Sequence, residues 1–210
     1  DADSAVVAQL EKGGTATPSN TPIPTNTPTN TPPGNTAAKT INDLTPQQIL
    51  EVGIYAFKNE NYEAAVALVS KYLQSFPNDK AAYYIRGLAN VRLKNIDYAI
   101  ADYNKSLQID PNYADAYTSR GYLYTVKRNY DQAIKDFNTA IKIDLNFEQA
   151  YINRGIAYKE MGKTKNAEED FAKADNIALI KSEARISKMV PISPNSKGIS
   201  WTPVVEMDKQ

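Results

Sequence analysis

Apolar and polar residues alternate with helical spacing from about residue 41 to 181, and only there. The pattern opens on a clear start signal. Thr45 suits an N-cap, Pro46 the first helical position, and Gln48 completes a capping box three residues on. Before it, residues 13–40 are nearly all Gly, Thr, Pro, Asn, Ser and Ala, with Ile23 the one large apolar side chain. Such a stretch cannot bury enough surface to offset its ordering entropy. After it, residues 182–210 begin like a helix and then break at Pro191, Pro194, Gly198 and Pro203.

Within the periodic part the sequence repeats itself every 34 residues. Tyr83, Tyr117 and Tyr151 fall in register, as do Gly53, Gly87, Gly121 and Gly155, and Ala65, Ala99, Ala133 and Ala167. Val69, Tyr103, Phe137 and Phe171 form another series, Tyr72, Ser106, Ala140 and Ala174 a further one, and Pro77 and Pro111 close the first two units. The units run 46–79, 80–113, 114–147 and 148–181. A mid-helix Gly costs about 1 kcal/mol relative to Ala. Its recurrence in four units predicts a close helix crossing with no room for a Cβ, faced by the small residue at the Ala65 place. The aromatics at the Tyr83 and Phe137 places are expected to fill the gaps between hairpins. Each hairpin has an apolar face it cannot bury alone, so neighbours must stack. Ala178, Ile180, Ala184, Ile186 and Met189, mixed with Lys181, Glu183, Arg185 and Lys188, predict a further helix to about Lys188 that shields unit four.

The third unit reads Tyr-x-x-Arg-Gly-x-x-Tyr (Tyr117, Arg120, Gly121, Tyr124), followed by Ala133, Phe137 and Ala140. On these places the chain resembles the tetratricopeptide-repeat family, bacterial type, over residues 46–181. There are departures: Ile49 and Tyr72 in unit one, Asn90 in unit two, and Leu145 and Leu179 in place of the closing Pro. The resemblance implies an all-α fold, a right-handed solenoid of four helix-turn-helix units with a C-terminal capping helix. It also implies that the first helix of each unit lines a concave face that binds a protein or peptide segment. Carried over residue by residue, that face holds Leu50, Ile54 and Phe57 from unit one, and Tyr84, Leu88, Val91 and Arg92 from unit two. Thr118, Tyr122 and Thr125 follow from unit three, and Ile152, Ile156 and Lys159 from unit four. An apolar, aromatic strip of this kind marks a contact site; the alternative is that some of these side chains simply pack between hairpins. Family members that grip a peptide's terminal carboxylate do so with Lys, Asn and Arg. Leu50, Ile54 and Tyr84 hold those places here, which argues against that mode.

Arg86, Arg120 and Arg154 each precede an Asp (Asp102, Asp136, Asp170) by sixteen residues. An anion site and an ion pair between the two helices of a hairpin both fit; the strict period favours the ion pair. Glu168, Glu169 and Asp170 are adjacent and so point in different directions on a helix, which makes them solvated surface rather than paired carboxylates. Asn104-Lys105-Ser106 fits an N-glycosylation pattern but falls inside a predicted packed helix.

Composition narrows function further. Lys plus Arg and Asp plus Glu each number 24, so the formal net charge is zero, which argues against a nucleic-acid partner. Cys and His are absent, which removes disulfides, most zinc sites, thiol nucleophiles and His-based triads. No phosphate loop or nucleophile pair is visible, and we expect neither metal, cofactor nor catalysis. No run approaches the ~20 apolar residues of a membrane span. The chain opens on Asp1 rather than Met, from which we expect that an upstream segment was removed.

The sequence thus divides into an N-terminal segment (1–12), a Thr/Pro/Asn-rich linker (13–44), the repeats (45–181), and a capping helix with an extended tail (182–210). Repeated Pro favours polyproline II, and 28 such residues span ~87 Å at ~3.1 Å per residue. Dense Thr beside Pro is also the composition of O-glycosylated stalks, with Thr17, Thr21, Thr25, Thr27, Thr29 and Thr31 the acceptors. The expectation is an extracytoplasmic interaction scaffold, cell-surface or secreted, that holds a partner polypeptide in an apolar groove. The alternative is a structural subunit of an extracellular assembly or filament. There a terminal segment, Ala5–Leu10 or Ile199–Val205 with the single Trp201, docks on another copy.

Overall fold

The structure, a computed structural model, describes residues 40–189. The expectations for residues 1–39, including the six threonines and Ala5–Leu10, and for Ile199–Val205 lie outside the described residues. A 3-10 turn, Ile41–Asp43, leads into eight helices. They are α1 (Pro46–Lys58), α2 (Tyr62–Ser75), α3 (Lys80–Arg92), α4 (Ile96–Ile109), α5 (Ala114–Val126), α6 (Tyr130–Ile143), α7 (Glu148–Glu160) and α8 (Thr164–Met189). Consecutive pairs form hairpins, and the second helix of each hairpin packs on the first helix of the next. The all-α stack of four hairpins is therefore as expected. The capping box at α1 forms as well: Thr45 Oγ1 accepts from Gln48 N at 3.3 Å, and Thr45 N donates to Gln48 Oε1 at 2.9 Å.

Each hairpin turns through one left-handed residue at the same place: Glu60, Lys94, Arg128 and Gly162, with φ between 59° and 73°. The next amide reaches five residues back, as in Asn61 N to Ala56 O and Asn129 N to Tyr124 O, which satisfies carbonyls that the helix end would leave open. Only the last unit supplies the glycine that this conformation favours.

The repeated glycines mark close crossings, as the period predicts. A Cβ on Gly87, Gly121 or Gly155 would sit 2.6–2.7 Å from a ring carbon of Tyr103, Phe137 or Phe171 respectively. The aromatic at the Phe137 place thus fills the crossing inside its own hairpin rather than the gap between hairpins. Full burial of a Phe such as Phe137, 0% exposed, contributes about 1.5–3 kcal/mol. Gly53 is looser, with Val69 Cγ2 at 3.1 Å, because unit one has no ring there.

Between hairpins a polar fastening adds to the apolar packing. Arg120 donates to both carboxylate oxygens of Asp136 at 2.8 Å and, through Nη1, to Asn104 Oδ1 of the preceding unit at 2.6 Å. Arg154 repeats this with Asp170 and Asn138, and Arg86 with Asp102 and Ser70. Each guanidinium also lies over the tyrosine three residues before it, Tyr83, Tyr117 or Tyr151, at 5.3–5.5 Å from the ring centre. The ion-pair reading of the Arg–Asp spacing holds, and the third partner makes it a ladder between units.

What ends a unit explains where the fourth departs. Asp110 and Asp144 each accept from the amide two residues on, at 2.9 Å, and turn the chain out of its helix, so Leu145 does without the proline that Pro111 supplies. Unit four has Ala178-Leu179 at these two places. Nothing stops the helix there, and α8 runs unbroken for 26 residues. The expected capping helix is thus the direct continuation of unit four's second helix. It is tied back by Lys181, whose Nζ donates to Asn146 O at 2.9 Å. Ser106, the third residue of the glycosylation pattern, is buried and donates to Lys80 O at 2.9 Å, in line with a packed helix.

Candidate partner-binding groove

Among the first helices, α1 touches α3 and α5 touches α7, a closer approach than any pair of second helices makes. The stack therefore curves with its first helices inside. Leu50, Ile54, Val91, Arg92, Tyr122, Thr125 and Ile152 are partly exposed along this side, and Ile156 and Lys159 are exposed. All four units contribute at least two of them. Val126, 53% exposed at the end of α5, is at the repeat place of Arg92, and carrying that place forward by 34 residues would have found it.

Four expected groove residues turn inward. Phe57 (8% exposed), Tyr84 (6%), Leu88 (1%) and Thr118 (1%) are buried and serve packing rather than contact surface. Phe57 packs on Tyr62 of its own hairpin at 5.5 Å between ring centres, while Tyr84 meets the next first helix. Tyr84 packs against Tyr103 and Tyr113 at ring-centre distances of 5.7 and 5.1 Å, and its hydroxyl lies 3.3 Å from Ser119 Oγ. Burial, with Asp115 adding to it, pushes the Tyr84 phenol well above its ordinary value; the Tyr113 phenol is raised by the same two causes. Both therefore act as neutral hydroxyls. Asp115, at the start of α5, is itself raised by burial. Arg92 is partly spoken for, since its Nε donates to Tyr62 Oη at 3.1 Å and its guanidinium lies 5.5 Å from that ring. Thr125 Oγ1 donates to Gly121 O at 3.1 Å. What remains facing outward is mainly aliphatic and aromatic, with Lys159 at one end.

Among the described residues no group of three or more acidic, His or Cys side chains could hold a metal ion, and no helix is long and apolar enough to cross a membrane.

Three family models, each described as tetratricopeptide repeat, match consecutive stretches at 50–114, 114–147 and 148–179, together well over half of the chain. The chain belongs to the tetratricopeptide-repeat family. Members of this family are generally non-enzymatic, and this repeat stack is a scaffold for protein–protein interaction. Solved structures agree on the fold. The crystal structure of MamA is 27% identical with a TM-score of 0.63, covering 66% of this chain and 81% of that one. A thermophilic repeat protein of Thermus thermophilus, TTC0263, is 19% identical with a TM-score of 0.57, covering 63% and 74%. The first repeat domain of Spaghetti (RPAP3), bound to an HSP90 peptide, is 22% identical with a TM-score of 0.54, covering 56% and 93%. The comparison with curated proteins gives no match.

Proposed function

We propose that the concave face of this tetratricopeptide-repeat stack binds an extended or helical polypeptide segment through apolar side chains. The observation that carries the reading is that Leu50, Ile54, Val91, Tyr122, Ile152 and Ile156, drawn from the first helices of all four units, are at least partly exposed. Burying such side chains is the dominant favourable term in association. The peptide held by the RPAP3 domain supports a peptide-sized occupant. The aliphatic Leu50 and Ile54 favour an apolar segment over a terminal carboxylate. In the same proposal the Thr/Pro-rich residues 13–44 tether the scaffold outside the cytoplasm, with Thr17, Thr21, Thr25, Thr27, Thr29 and Thr31 as O-glycan acceptors.

The test is a screen of immobilised apolar peptides against the full chain, followed by titration of the best binder. Ile152→Asp with Ile156→Asp is expected to weaken it at least ~10-fold with helix content unchanged. Tyr98→Ser, at an exposed tyrosine on a second helix, leaves affinity unchanged. Equal binding by both variants would exclude the groove. Cell fractionation and intact mass of the native protein test the tether and its glycans.

A further inference from the structure

The two ends of the stack are finished differently. In a unit with a predecessor, the first helix turns three places toward it. Ala82, Ala116 and Ala150 are fully buried at the first place, Arg86, Arg120 and Arg154 reach back at the second, and Ala89, Leu123 and Ala157 are at most 1% exposed at the third. Unit one presents Gln48, Val52 and Tyr55 at these places, with Val52 42% and Tyr55 68% exposed. Val52 and Leu68 stand where the next unit has Arg86 and Asp102, so this end carries an apolar pair in place of an ion pair.

At the opposite end the places with which earlier units pack forward are polar, and exposed Leu179 and Ile186 lie further along α8. Val66, Ile100 and Ile134, which pack forward in units one to three, give way to exposed Glu168, and Leu73, Leu107 and Ile141 give way to exposed Asp175. Tyr62, Ile96 and Tyr130 give way to Thr164. Unit four therefore lacks the apolar residues with which units one to three pack forward, and a head-to-tail contact at these three places would set Val52 and Tyr55 beside carboxylates.

We infer that the open face of unit one is a homodimer interface, in which α1 of one copy lies antiparallel on α1 of a second copy about a two-fold axis near Tyr55. Charge complementarity selects this occupant. Exposed Glu51 and Lys58 flank Tyr55 four residues before and three after, on the same side of the helix, at −40° and −60° around its axis by the 100° step of an α-helix. A perpendicular two-fold keeps that side facing itself and reverses the direction of the helix. Glu51 of each copy then comes level with Lys58 of the other to within one residue, about 1.5 Å. The contact is self-complementary and closes at two copies, with Lys58, at the repeat place of Arg92 and Val126, where the open face meets the rim of the groove.

Sedimentation velocity of the full chain over about 1–500 µM tests it. We expect a monomer–dimer equilibrium weakened by salt. Glu51→Lys and Lys58→Glu each replace two attractions by two repulsions and weaken dimerisation at least ~10-fold. The double exchange E51K/K58E restores it to within ~3-fold, an outcome a folding defect would not produce. Val52→Asp with Tyr55→Asp abolishes it, with circular dichroism checking that the helices remain. A full chain that stays monomeric throughout, whether residues before Thr40 or nothing covers the face, overturns the inference. So does growth beyond two copies, or a double exchange that fails to restore the dimer.

Discussion

The first and third hairpins share helix lengths, 13 residues then 14, and a left-handed residue at the same place in the turn, yet they are locked in different ways. In the third, Phe137 fills the crossing at Gly121 and Arg120 ties three helices together around Asp136. In the first, Val69 leaves the crossing at Gly53 looser, and Val52 stands in the arginine's place with no hairpin before it among the described residues. A common backbone thus tolerates two kinds of fastening. The interior units use buried charge that requires a complete set of partners, and the terminal unit uses apolar contact that does not.

The largest expected effect tests the charged lock. Burial holds the Asp136 carboxyl above its ordinary range even with Arg120 beside it. Arg120→Ala strands that carboxylate, with an expected loss of ~3–5 kcal/mol in urea unfolding. Val52→Ala, measured at low micromolar concentration, stays within ~1 kcal/mol. Similar losses at both sites would show the two locks to be equivalent.

Next come the crossings. Gly121→Ala overlaps Phe137 and should cost ~1–3 kcal/mol, whereas Gly53→Ala stays within ~1 kcal/mol in either direction because gained helix propensity offsets a milder contact. Thermal melts of the two variants decide it, and equal shifts would mean that the rings yield.

The turn is what the two hairpins have in common, so Glu60→Gly and Arg128→Gly should act alike. Each relieves a left-handed residue and is expected to stabilise by ~0.5–1 kcal/mol. A marked difference in their melting shifts would show that the backbones are not equivalent after all.

The smallest effect comes from the second place of the unit, Gln47 in the first hairpin and Asp115 in the third. The folded pKa of Asp115 is raised from 3.8 by burial, so the folded state holds its proton more tightly than the unfolded state. Stability therefore falls as pH rises through the raised value, and the deficit is absent below about 3.8. Asp115→Asn should melt a few degrees higher at neutral pH and like the parent at pH 3; a gain that persists at pH 3 would assign the effect to something other than charge.

Much of this architecture was legible because it is local or periodic. The 34-residue register located every hairpin, and the capping box at Thr45 located its start. The glycine series located the crossings. The second bond of each arginine was equally present in the numbering, since Asn104, Arg120 and Asp136 lie sixteen apart, yet a spacing read forward alone finds only the aspartate. Burial of Tyr84, Leu88 and Thr118 was not legible. Whether a first-helix side chain faces the groove or the next hairpin depends on the distance between units, which no local pattern encodes. The continuation of α8 had a signal in the paired loss of Asp and Pro at Ala178-Leu179.

Because every arginine of the ladder bonds to its own unit and to the one before, the hairpins are coupled to nearest neighbours in series. The final links on the two sides are unequal. The ladder arginines of the third and fourth units hold an Asn carbonyl of their predecessor, while Arg86 of the second holds the Ser70 hydroxyl of the first. Local opening then has a direction. Amide hydrogens should exchange fastest in α1 and α2 and progressively more slowly toward α6 and α7, as a zipper frays from the end with the weakest tooth. A ligand that reaches Leu50 and Ile54 would slow exchange there most, and so report from the loose end that the whole length of the stack is engaged.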